Sequence, residues 1–164
     1  MSSIDLDGAT LTMAVNRLLA LKPDGPVTAI DCARVGKHTR LTLSGVRTGM
    51  KVFGMAIPPL DADLLLTGTW QADRLRLTWE LEAVRGIPPM AAKLVGRPTL
   101  AKLLVDALGG RWGLDRALSA EPDGDLVLLP GLLVIPGWTG LRVDTLALPG
   151  NGDEYVVSAR FTLA

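Results

Sequence analysis

The stretch RLRLTWELE (residues 74–82) alternates residue by residue: Leu75, Leu77, Trp79 and Leu81 fall on one side, and Arg74, Arg76, Thr78, Glu80 and Glu82 on the other. That period of two is the pattern of a half-buried strand, because successive side chains point to opposite faces of a sheet. Similar runs precede it. VTAIDCARV (27–35) and TRLTLSGV (39–46) flank a turn at Gly36-Lys37-His38. MKVFGMAI (50–57) reads as a further strand closed by Pro58-Pro59, and ADLLLTGTW (62–70) leads into the quoted stretch through Gln71-Ala72-Asp73. Connections this short call for antiparallel neighbours, since parallel strands need a long crossover.

Helical periodicity brackets these strands. Leu11, Ala14, Val15, Leu18 and Leu19 repeat at i, i+3, i+4, i+7 and i+8, with Asp7 or Thr10 as the cap and Lys22-Pro23-Asp24-Gly25-Pro26 as the stop. A second stripe, Leu100, Leu103, Leu104, Ala107 and Leu108, is extended backwards by Met90 and Leu94. Pro98 lies within this second segment and either kinks one helix or separates two. GDLVLLPGLLVI (124–135) is partly extended, and LRVDTLAL (141–148) faces EYVVSARFTL (154–163) across a hairpin signal at Asn151-Gly152. The expected fold is α+β in a single domain, 1–164: one curved antiparallel β-meander packed against two amphipathic helices.

Composition narrows the function classes. Seventeen basic and seventeen acidic residues cancel, no segment concentrates basic charge, and only 4% of residues are aromatic, so the footprint of nucleic-acid binding is missing. Nucleic acid is therefore not an expected partner. No run approaches the ~18 apolar residues of a transmembrane helix. MSSIDLDGAT lacks the basic and apolar regions of a signal peptide, so the expected location is cytoplasmic.

Catalytic constellations are scarce. His38 is the single histidine and falls in a turn; Cys32 is the single cysteine and alternates with Ile30 as a small core residue. No HExxH, GxSxG, GxxxxGK or GxGxxG motif occurs, and no cofactor or metal is implied. Asp61 with Asp63, and Glu80 with Glu82, each share a strand face, and paired carboxylates can divide acid and base roles when burial separates their pKa values. Arg74 and Arg76 share the face of Glu80 and Glu82, which reads as a solvated surface of mixed charge.

What stands out is apolar surplus. Apolar residues make up 48% of the chain, mean hydropathy is +0.31, and LVLLPGLLVIPGW (126–138) and VFGMAIPPL (52–60) exceed what an alternating strand needs. Apolar residues on both sides of a strand require cover on both sides, from the chain itself, a ligand or a partner. The element order, with RLRLTWELE running into IPPMAAKLVGRPTLAKLLVDAL (87–108) and a closing LLVIPGWTGLRVDTLAL (132–148), resembles one unit of the tubular lipid-binding (TULIP) superfamily, including small bacterial members. The resemblance implies a bent antiparallel sheet wrapped on a long helix around an apolar groove. It places Leu75, Leu77, Trp79, Leu81, Met55, Leu104, Leu133, Ile135 and Trp138 on that groove, with 132–138 as its lip. The function expected is non-enzymatic binding or carriage of a lipid, acyl chain or other apolar small molecule, with transient membrane contact. The alternative is an interaction module that forms a homodimer or hetero-oligomer through its apolar strand face. An enzyme would need a carboxylate such as Glu80 or Asp63 in a cleft.

Overall fold

Trp79 and its alternating neighbours build the centre of the molecule. Residues 2–109, 112–134, 139–148 and 155–163 are described in a computed structural model. The chain runs β1 (Ser2–Asp7), α1 (Gly8–Ala20), β2 (Ala29–Val35), β3 (His38–Val46), β4 (Lys51–Val52), β5 (Met55–Ala56), β6 (Leu60–Gln71), β7 (Arg74–Arg85) and α2 (Pro89–Ala92). It continues with α3 (Arg97–Leu108), α4 (Leu114–Ala117), β8 (Leu118–Ala120), β9 (Leu126–Leu128), a 3-10 turn at Pro130–Leu132, β10 (Leu141–Ala147) and β11 (Tyr155–Leu163). The fold is α+β, and every strand pairing is antiparallel.

The main sheet has six strands in the order β2-β3-β6-β7-β9-β8. Its long β6–β7 hairpin sets Leu64 opposite Leu81, Leu66 opposite Trp79 and Trp70 opposite Leu75, so the quoted stretch contributes one rung after another to a single apolar face. An extra residue at Glu82 interrupts the ladder between the Leu64–Leu81 and Asp63–Ala83 pairs. The bulge returns Val84 to the same face as Leu81, and both pack on the main core. Leu100 and Leu104 of α3 are almost wholly buried in that core, each worth ~1.5–3 kcal/mol relative to exposure.

α1 serves a different purpose. Asp7 caps it by accepting the Thr10 N–H at 2.7 Å. From its side, Asn16 Nδ2 donates to the Ile30 carbonyl (2.7 Å) while the Ile30 N–H donates to Asn16 Oδ1 (3.0 Å). One turn earlier, the Cys32 N–H donates to Thr12 Oγ1 at 2.8 Å. These side chains satisfy backbone groups on the outer edge of β2 and cover that edge.

Two sequence expectations are corrected, and the alternative left open at Pro98 is decided. The strands do not form one sheet: β10 and β11 join β1, a strand ahead of the first helix, in a separate three-stranded sheet ordered β1-β11-β10. The reason is that α1 occupies the edge of β2, so β11 finds its second partner in the N-terminal strand. MKVFGMAI is not one strand but a small hairpin, β4–β5, folded at Phe53-Gly54. The long second helix is two, because Gly96 is extended and Pro98 stands in the first turn of α3, where its missing N–H costs nothing.

One turn locks α3 to the sheet. Trp79 Nε1–H donates to the Gly124 carbonyl at 2.6 Å, and the Arg97 guanidinium lies 5.2 Å from the Trp79 ring centroid. Arg97 Nη2 and Arg76 Nε donate to the two oxygens of the buried Asp125 at 2.6 and 2.8 Å. Gly124 has φ +93, and a Cβ there would stand 2.8 Å from Arg97 Cβ and 2.9 Å from Pro98 N. Gly124→Ala is therefore expected to lower unfolding free energy by about 1–3 kcal/mol, read as a shift of the urea midpoint. An unchanged midpoint would show that the turn does not hold the helix.

Candidate functional site

Seven of the nine residues placed on the expected groove are described, and they lie in three regions. Leu75, Trp79 and Leu104 are buried, and Leu77 and Leu81 are half-buried against the main core. The apolar side of RLRLTWELE therefore faces the molecule's own helices and loops. Leu133 belongs to a second, smaller core beneath the three-stranded sheet, with Val143, Ala159 and Phe161. Ile135 and Trp138 lie outside the described residues. Much of the apolar strand that was a candidate interaction face is used internally, since Leu126, Val127 and Pro130 are buried within the chain. Among the described residues of the nine, Met55 alone stands apart, on the β4–β5 hairpin.

That hairpin forms one wall of an open apolar groove of about 430 Å³. Phe53, Met55 and Ile57 line it from one side, and Pro88, Met90 and Leu94 from the other. The local cause is turn chemistry. A two-residue hairpin loop with both central residues at positive φ ordinarily takes Asn-Gly or Asp-Gly; here Phe53 has φ 50 and Gly54 φ 78. Left-handed backbone costs a residue with a Cβ ~1–2 kcal/mol, and the Phe53 side chain recovers none of it by burial, being 89% exposed. Met55, Met90 and Leu94 are 70, 75 and 52% exposed. Opposite the hairpin, Gly86 at φ 88 turns the chain, and Pro88-Pro89 starts the single turn of α2. Large apolar side chains clustered in one uncovered groove are the kind of surface that marks an interaction site. The sequence pattern had noted Phe53 and Met55 beside Pro58-Pro59, but it assigned Met90 and Leu94 to the buried stripe. The break at Gly96 removes them from it.

The polar groups are tied up structurally. Glu82 takes a bidentate grip from Arg40, at 2.8 Å to each oxygen. Asp63 takes one from Arg85 at 2.6 and 2.9 Å, and that guanidinium holds its carboxyl below the usual carboxylate range. Asp61 accepts the Gly45 N–H. His38 Nδ1 lies 3.0 Å from Thr67 Oγ1 at the start of β3. Among the described residues no group of three or more His, Cys, Asp or Glu side chains is placed to hold a metal. Arg34 and Thr39, paired across β2 and β3, keep three guanidinium nitrogens and a hydroxyl buried without a hydrogen-bond partner among the described residues. Those atoms are closed to solvent, whereas the groove is open to it.

No family model, curated protein or solved structure matches this chain.

Two measurements follow from the titrating groups. Burial pushes the Cys32 thiol up to about 11, so at pH 8 only about one thiol in a thousand is the reactive thiolate. Iodoacetamide should leave the native protein unlabelled and label it in denaturant; rapid native labelling would contradict the burial. Asp63, Asp7 and Asp123 titrate below their usual values, held down by Arg85, by the Thr10 N–H and by the Asp125 N–H respectively. Groups depressed in the folded state stabilise it above the unfolded value near ~4 and lose that contribution as pH falls through the folded one. The thermal midpoint should thus stay level from pH 8 to about pH 5 and drop below about pH 4, with a shallower drop for Asp63→Asn. Equal acid sensitivity in wild type and variant would remove Asp63 from the account.

Proposed function

We propose that the protein binds, without catalysis, the hydrocarbon portion of a small amphipathic molecule, a single acyl chain, in the groove between the β4–β5 hairpin and α2. The observation that carries this reading is the exposure of Phe53, Met55, Met90 and Leu94 around one groove whose walls are almost entirely apolar. Its volume, about 430 Å³, falls within the range of ~300–1,000 Å³ typical of small-molecule pockets. Two of the lining residues are methionines, whose unbranched, polarisable side chains adapt to a flexible chain. Asp63 and Glu82 are engaged in ion pairs, and no charged side chain lines the groove, which favours binding over chemistry. The site differs from the one the element order suggested: it lies at the outer end of the fold and not between α3 and the main sheet.

Uptake of a fluorescent fatty acid tests this. Wild type should bind it in saturable fashion, and Met90→Glu combined with Leu94→Glu should weaken binding about tenfold or more by placing charge in the groove. Both side chains are more than half exposed, so the thermal midpoint should not change. Absence of uptake by wild type, or equal uptake by the variant, would refute the assignment.

A further inference from the structure

The groove is bordered by an uneven distribution of charge. The chain as a whole carries equal numbers of basic and acidic residues, yet 44–60 and 83–105, the two segments that build the groove, contain Arg47, Lys51, Arg85, Lys93, Arg97 and Lys102 and not one Asp or Glu. Asp63 neutralises Arg85, and Asp125 neutralises Arg97. Arg47, Lys51 and Lys93 are exposed and make no ion pair among the described residues. Lys51 sits in β4 next to the lining residue Val52 and opposite Ala56, and Lys93 directly precedes the lining residue Leu94.

We infer that this end of the molecule docks on an anionic lipid bilayer, with Phe53 at the hairpin tip entering the acyl layer and Lys51 and Lys93 meeting lipid phosphates and carboxylates. The inference rests on the groove reading above and adds the place from which the chain is taken up. Three features favour a bilayer over a protein partner. The apolar group extends from the tip of a two-residue turn, not from a flat patch, and so suits insertion into a fluid layer. The unpaired charged residues that directly adjoin lining residues, Lys51 and Lys93, are both basic, which matches an anionic headgroup layer over hydrocarbon. Finally, the protein holds Phe53 in a backbone conformation that glycine adopts freely, so an aromatic is kept at the tip at a cost to the fold. Strain retained at an exposed position is a pointer to use.

Co-sedimentation with phosphatidylcholine vesicles, with and without phosphatidylserine, tests the inference. Wild type should bind the mixed vesicles about tenfold more tightly than the neutral ones, and added salt should weaken that binding, because screening shortens the reach of surface charge. Lys51→Glu with Lys93→Glu should abolish the preference for phosphatidylserine. Phe53→Gly should lose vesicle binding while its thermal midpoint stays level or rises, an outcome that a purely structural role for Phe53 would reverse. Absence of binding to either vesicle, or equal binding to both, overturns the inference. So does a concentration-dependent dimer abolished by Phe53→Gly without vesicle binding, which would assign the surface to a second copy of the chain. Uptake of the free fatty acid from solution separates the two readings. If uptake persists while vesicle binding is absent, only the docking inference falls; if vesicle binding persists without uptake, only the groove reading falls.

Discussion

Trp79 occupies the point where sheet, helix and turn meet. Its ring is almost wholly buried, its indole N–H is satisfied by the Gly124 carbonyl, and Arg97 lies over its face. A buried indole without a partner for its N–H would be costly, so the turn that provides the carbonyl is tied to the strand that carries the tryptophan. The same turn holds Asp125, which fixes Arg97 at the head of α3 and Arg76 on β7. Without a Cβ, Gly124 comes close against Arg97 and Pro98. The helix is thus positioned at its N-terminus by polar contacts and along its length by Leu100, Leu104 and Ala107.

A second constraint acts on the opposite edge. An open strand edge exposes a row of unpaired donors and acceptors. Asn16 and Thr12 place side-chain groups on the free backbone positions of β2 in their stead. Gly8 brings the start of α1 so near the Cys32 carbonyl that a Cβ would stand 2.5 Å from it. With that edge taken, the closing hairpin cannot extend the main sheet and pairs with β1 instead. The division into two sheets is therefore a consequence of how one helix packs.

The apolar surplus is divided as well. Most of it fills the two cores. Of the large apolar side chains that stay exposed, Phe53, Met55, Met90 and Leu94 gather around one groove at the β4–β5 hairpin and α2, while others, such as Met13 and Leu163, stand elsewhere on the surface. Of the paired carboxylates, Asp63 and Glu82 are bound to arginines and Asp61 accepts a backbone N–H, and the thiol is buried.

Alternation in RLRLTWELE, ADLLLTGTW and TRLTLSGV was enough to specify antiparallel strands, and the spacing of Leu11–Leu19 and Leu100–Leu108 was enough to specify two helices. In each case the period of the backbone is written into the side-chain pattern. The Asp7 cap and the mixed-charge face of Glu80 and Glu82 were legible for the same local reason. What the pattern could not convey was which apolar residues would find cover. Met90 and Leu94 share helical spacing with Leu100, yet only Leu100 is buried, because the break at Gly96–Pro98 redirects the chain. Phe53 lies amid strand-like residues, yet it turns a hairpin and stands in solvent. Periodicity is a property of neighbours along the chain, whereas burial depends on residues far away in sequence. The sequence by itself thus determined the long strands and the two principal helices, and the tertiary structure alone decided that the exposed apolar groove lies at the hairpin and not beneath the long helix.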